Sequence, residues 1–188
     1  MKILILGIGN ILFGDEGIGA HFAHYIDEKY TFSPSEGNTI TIIDGGTLAH
    51  LLIPIIVEYD KVILVDCIES EDGKFGDVFF FDFEDMPKQI SWQGSAHEVE
   101  TLQTMEMMRT HGDIPSIKII GVIPTRIESD STFELSNEMK NAVDTMEKVL
   151  KNYILELDPK CQIIENPSVS IQEIARISFK RDMKQNDL

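Results

Sequence analysis

Positive charge is scarce in this sequence. Lys and Arg together number 16 against 32 Asp and Glu, which leaves a formal net charge of −16. Phosphates repel such a surface unless a local basic patch intervenes, and none occurs upstream of the C-terminal tail. Neither nucleic acid nor an anionic membrane is therefore an expected partner. The acidity suits a cationic or metal-carrying partner, and it suits plain solubility equally well. Cysteine is as sparse: Cys67 and Cys161 cannot build a disulfide framework, and neither sits in a Cys-x-x-Cys pair. A reducing, cytoplasmic location is expected. Long hydrophobic runs are missing too, since no apolar stretch approaches the roughly 20 residues that span a bilayer. The run from Ile3 to Leu6 stops at Gly7, too short for a signal-peptide core, and reads as a first strand. A Gly-x-Ser-x-Gly elbow is also absent, which leaves serine hydrolysis without its usual scaffold.

What is present is the composition of a folded domain. Hydrophobic residues make up 43% and charged residues 26% of 188 positions, close enough to globular averages to exclude wholesale disorder. The length suits one domain with a proper core. Residues 1–165 are expected to form a single α/β catalytic domain, with 166–188 as a C-terminal extension. Apolar runs at 2–8, 39–43, 61–66 and 117–123 read as strands. Helical spacing marks 14–30 and 135–157, the latter carrying Met139, Val143, Met146, Leu150, Tyr153 and Leu157 along one seam. A short helix from Leu48 meets Pro54. The aromatic stretch 76–83 is a further strand of open direction, and 86–94 a loop. Ser95-Ala96-His97-Glu98 has the form of a capping box that opens a helix running to Thr110. Alternating strands and helices predict an α/β fold: an open, mostly parallel twisted sheet with helices on both faces, three layers in all. In the extension, Val169, Ile171, Ile174 and Ile177 allow a packed segment, and 180–188 is polar and expected to fray.

In such sheets ligands bind beyond the carboxyl ends of the strands. Glu16 follows the first strand, Asp66 ends the third, and His97 follows the fourth apolar run. Two carboxylates and one imidazole suit a borderline divalent cation and leave coordination positions open. A helix N-terminus would keep His97 in the neutral, metal-binding form. Each residue also has a structural reading: Asp15 and Glu16 as helix caps, Asp66 in a turn, His97 bound to a backbone carbonyl. The loop from Gly7 to Gly17 invites a dinucleotide reading but fails it, because Leu12 replaces the third glycine and Asp15-Glu16 would repel a pyrophosphate. Asp44, ending the second strand, is the feature that favours a nucleotide; the turn Asp44-Gly45-Gly46 is the competing account. Cys67 and Asp66 should face opposite sides of their strand. His21, His24 and Glu28 read as a solvated helix face, His50 and His111 as structural, and Met105, Met107 and Met108 as core.

The loop Gly9-Asn10-Ile11-Leu12-Phe13-Gly14-Asp15-Glu16-Gly17-Ile18-Gly19, then Asp44-Gly45-Gly46-Thr47, the strand ending in Asp66, and Ser95-Ala96-His97 follow one another in an order with a precedent. Over residues 1–157 the chain resembles the nickel-iron hydrogenase maturation endopeptidases, which clip a C-terminal extension from the hydrogenase large-subunit precursor. The resemblance implies that Glu16, Asp66 and His97 are catalytic and contact nickel. It also implies that the nickel arrives with the substrate and tags it as ready for cleavage. Hydrolysis would be aspartic-type or metal-dependent, by a protein expected to act as a monomer in the cytoplasm. A non-catalytic nickel-binding accessory protein or metallochaperone of hydrogenase assembly would use the same residues, and a nucleotide-binding α/β enzyme is a third reading. Residues 161–188 exceed what the family pattern needs; they either help select the cognate large subunit or form a dispensable tail.

Overall fold

Four apolar residues in succession after Lys2, then a glycine, leave no polar face, so the first strand must be covered on both sides. In the computed structural model it is β1 (Lys2–Gly7), buried from Ile3 onward. The structure describes residues 1–47, 49–86, 90–91, 96–112, 114–125 and 131–185; the side chains of 49, 91, 96–100, 111, 179 and 181–185 lie outside that description. Along the chain follow α1 (Ile18–Lys29), β2 (Tyr30–Ser33), β3 (Thr39–Asp44), α2 (Ile53–Ile56), β4 (Lys61–Cys67) and β5 (Glu69–Ser70). After these come β6 (Val78–Asp82), β7 (Ile90–Ser91), α3 (Ala96–His111), β8 (Ser116–Val122), α4 (Asn137–Leu157), β9 (Gln162–Glu165) and α5 (Ile171–Gln185).

The main sheet has five strands in the order β3-β1-β4-β8-β6. Four are parallel, and the aromatic strand β6 runs antiparallel to β8 at one edge. Alternation along β1 and β4 divides the core in two. Ile3, Ile5, Ile63, Val65 and Cys67 face a layer built from α1, α4 and α5. Leu4, Leu6, Val62 and Leu64 face α2 and α3, where Ile56, Met105 and Met108 are buried. This is the three-layer α/β arrangement expected. The chain leaves β1 for β3 on one side and returns to β4 on the other, so the topological switch, where such sheets bind ligands, lies between β1 and β4.

Several elements depart from expectation. The helix predicted over 14–30 opens instead as a 3-10 turn (Gly14–Gly17), and Tyr30 leaves it to start β2, which pairs antiparallel with β9. Both partners are four residues long, too short for alternation to announce them. Ala49–Leu52 is a 3-10 turn, and Pro54 sits in the first turn of α2, where its missing N–H costs nothing. Ile90–Ser91, within the predicted loop, pairs with β5. The polar stretch from Lys180 does not fray at once, because α5 continues to Gln185. It is held through buried Ile171, Ile174 and Ala175. Met107 is 46% exposed and so not a core residue, whereas Met105 and Met108 are buried. No described helix is long and apolar enough to cross a membrane.

Candidate active site

The loop after β1 is threaded between two strand ends. Ile8 donates its N–H to Val65 O at 2.9 Å, Gly9 to Gly46 O at 3.0 Å, and Gly45 to Gly7 O at 2.8 Å. Helix α1 must then start almost on top of the sheet. A Cβ on Gly19 would lie 2.0 Å from Ile8 O and 2.3 Å from Val65 O, so only glycine permits that crossing. At Gly9 a Cβ would stand 2.4 Å from Glu16 O, because the loop closes on itself there. Asn10 closes it, donating its N–H to Glu16 O at 3.1 Å and accepting Leu12 N–H on Oδ1 at 3.1 Å. The glycines therefore serve close backbone packing rather than a phosphate cradle.

Glu16 lies in the Gly14–Gly17 turn and is 3% exposed; Asp66 is the penultimate residue of β4 and is fully buried. An exposed strand or loop end is expected at positions that meet a macromolecular substrate, but both are buried, because α1 and the loop close over the strand ends. Asp66 Oδ1 accepts the Cys67 N–H at 2.8 Å, and the Cys67 thiol donates to Asp15 O at 3.2 Å. The chain neighbours of Glu16 and Asp66 are thus bonded to each other, which brings these two positions to the same end of the sheet, beside the β1–β4 switch point. By alternation Asp66 follows Val62 and Leu64 toward the α3 face, and Cys67 packs on the opposite one, as expected. His97 is the second residue of α3, in its first turn as the capping pattern predicted. Its side chain, and the cap residue Ser95, lie outside the described residues. Among the described residues no three of His, Cys, Asp and Glu are grouped to hold a metal ion. Glu16 and Asp66 can supply two oxygen donors, and a third would have to come from elsewhere.

Asp44, the residue that favoured a nucleotide, has both oxygens engaged. Oδ1 accepts the Gly46 N–H at 2.9 Å, and Oδ2 lies 2.8 Å from His24 Nε2. Burial pushes its pKa up, but His24 and the Gly46 amide outweigh burial and hold it below the usual carboxylate range. The turn reading of Asp44-Gly45-Gly46 fits, with Gly46 at φ 61°. His21 is not on a solvated face: it is fully buried, and its Nε2 would stand 2.9 Å from a Cβ at Gly17. Asp15, read from sequence as a mere cap, is the residue that sequence reasoning missed. Its carboxylate accepts from the backbone N–H and hydroxyl of Ser136 at 2.8 and 2.6 Å and of Thr125 at 3.1 and 2.7 Å. No local pattern announces partners 110 and 121 positions away.

A mostly parallel sheet with buried carboxylates near its switch point, closed over by a glycine-packed loop, describes a small α/β protein of the kind that takes its ligand at the strand ends. The hydrogenase maturation protease family (HycI) matches residues 20–152, and the chain belongs to that family. Asp66 and His97 fall inside the matched stretch, and Glu16 just before it. The chain is 48% identical to protein HydD of Wolinella succinogenes over 161 residues, which covers 85% of this chain and 98% of that protein. It is 30% identical to the hydrogenase 2 maturation protease of Escherichia coli over 129 residues, covering 68% and 76%. Among solved structures, the hydrogenase maturating endopeptidase HybD from E. coli superposes with a TM-score of 0.72 at 26% identity, covering 89% of this chain and 99% of that one.

Proposed function

We propose that this protein is the endopeptidase that removes the C-terminal extension of a nickel-iron hydrogenase large-subunit precursor once nickel has been inserted. The observation that supports this reading is the pairing of family membership with the β1–β4 switch point, beside which lie Glu16, in the turn after β1, and Asp66, near the end of β4. In this reading the scissile segment lies across the carboxyl ends of β1 and β4. The substrate's own nickel is met by Glu16, Asp66 and His97, so that only a loaded precursor is held in register. The Cys67 N–H fixes one oxygen of Asp66, which orients the carboxylate before the substrate arrives. Hydrolysis adds water across the peptide: oxygen bonds to the carbonyl carbon, the C–N bond breaks, and a proton reaches the leaving amine. A crevice carboxylate can take that proton from water and return it. Docking is transient, by a monomer in the cytoplasm.

The test is to incubate the protein with nickel-loaded and nickel-free precursor and weigh the products by mass spectrometry. Cleavage confined to the loaded form is the expected result. Metal transfer without cleavage would instead mark a nickel-binding accessory protein, and tight nucleotide binding with neither would mark a nucleotide enzyme.

A further inference from the structure

Two acidic residues stand side by side in the Gly14–Gly17 turn, and only one has been given work. A 3-10 turn separates successive side chains by about a third of a revolution, so Asp15 and Glu16 diverge and cannot serve one ligand. We propose that Asp15 is a positioning residue that fixes Glu16 for the cleavage reaction; the inference rests on the substrate-contacting role of Glu16 proposed above.

The Asp15 carboxylate takes four hydrogen bonds, two from Thr125 and two from Ser136. All four donors are N–H or O–H groups, and an ionised carboxylate is the side chain that only accepts. Asparagine is isosteric but would turn an NH₂ toward at least one of them. Thr125 follows β8, and Ser136 caps α4 by accepting the Met139 N–H at 3.0 Å. The Asp15 anion therefore also lies at the positive end of a 21-residue helix. On its main-chain side, Asp15 O accepts the Cys67 thiol. One residue thus joins the ends of β4 and β8 and the start of α4. Glu16 comes next in the chain, its own carbonyl held by Asn10. Its Cα is suspended between two anchored peptide units. Misplacing a reacting group by about 1 Å costs on the order of 100-fold in rate, so the anchor bears on the chemistry without touching substrate.

Full-length Asp15→Asn is compared with wild type on nickel-loaded precursor. The expected result is a fall in kcat of about tenfold to a hundredfold, larger than any rise in KM. Tyr30→Phe, which weakens the fold far from the crevice, serves as the stability-matched control and keeps wild-type kcat. Should Asp15→Asn not fold, Thr125→Val and Ser136→Ala each remove one hydroxyl donor, and kcat should fall stepwise through the single and double variants. Wild-type kcat in these variants, or an equal loss in Tyr30→Phe, would overturn the proposal. Amide hydrogen exchange decides the matter even if no precursor is cleaved. The Glu16 and Asn10 amides, bonded to Phe13 O and Glu16 O, should exchange about tenfold faster in the Asp15-anchor variants while β1 amides do not change. Unaltered exchange there would refute the anchor, whereas failure of wild-type cleavage alone would refute the functional reading.

Discussion

Glu16 and Asp66 are carboxylates in a place where carboxylates are costly, one nearly and one wholly removed from water. Burying such groups is tolerated when partners compensate, and the Cys67 N–H supplies one of those partners for Asp66. Glu16→Gln and Asp66→Asn keep shape and an acceptor oxygen but lose the charge. Each is expected to cut precursor processing by about 100-fold or more, with a melting temperature within a few degrees of wild type. Full processing by either variant, measured by mass spectrometry, would remove that residue from the chemistry. Gly19 tests the crossing instead of the chemistry. Its added methyl would meet two backbone oxygens, Ile8 O just past β1 and Val65 O in β4, and the Ile8 N–H bond to Val65 O ties the two together. Gly19→Ala should therefore exceed the usual overpacking range, costing about 3 kcal/mol or more in urea unfolding. Stability equal to wild type would mean that α1 does not cross the sheet this closely.

Between elements, a second polar cluster lies away from the crevice, where α1 runs into β2. Glu147 of α4 accepts from Tyr25 at 2.5 Å, from Lys29 at 3.0 Å on both oxygens, and from the Tyr30 hydroxyl. Lys151 in turn donates to Tyr30 at 3.0 Å. Burial and the Glu147 anion push the Tyr25 phenol up to about 12, so it remains a donor at any physiological pH. Tyr30→Phe should destabilise the protein by about 1–3 kcal/mol, the cost of leaving a buried charged acceptor short of one donor. Burial raises the Glu147 pKa, yet the three hydrogen-bonding partners outweigh it and the net shift is downward. A depressed carboxyl stabilises the fold fully above its unfolded pKa of about 4.3, and that contribution disappears as pH falls through the lower folded value. Between pH 6 and pH 3 the melting temperature of wild type should fall more steeply than that of Glu147→Gln. Parallel curves would show that the cluster carries no proton linkage. The sequence concealed this clasp because Tyr25, Lys29 and Tyr30 read as the end of one helix, while Glu147 lies beside the apolar seam of α4 among its other charged residues.

At the scale of the whole molecule, the sheet and its helices were legible because the apolar runs of β1 and β4 are continuous, that of β8 is broken only by Lys118, and the seam of α4 keeps its period. That Glu16 and Asp66 come at the carboxyl ends of strands could be read the same way, whereas the adjacency of those strands comes only from the sheet order. What could not be read are contacts that join distant segments by single hydrogen bonds, and the C-terminal extension is held by contacts of this kind. Gln172 of α5 donates to Phe133 O and accepts from Leu135 N–H, both at 3.0 Å, and Arg176 forms a two-pronged pair with Glu134. Leu135 precedes Ser136, and Ser136 holds Asp15. The extension thus braces, at one remove, the turn that carries Glu16, in addition to burying Ile171, Ile174 and Ala175 against α1 and α4. Buried isoleucine contributes about 1.5–3 kcal/mol apiece, so ending the chain at Pro167 should remove several kcal/mol and yield a protein that melts well below wild type or does not accumulate. Ending it at Lys180 keeps those anchors and should leave folding and processing intact, which separates bracing by α5 from any service of the last residues in choosing a partner. Gln172→Ala is the finer test, since it leaves the apolar contacts in place: processing should slow by more than the loss in melting temperature accounts for. A slowing that merely tracks stability would make α5 a lid on the core and nothing more.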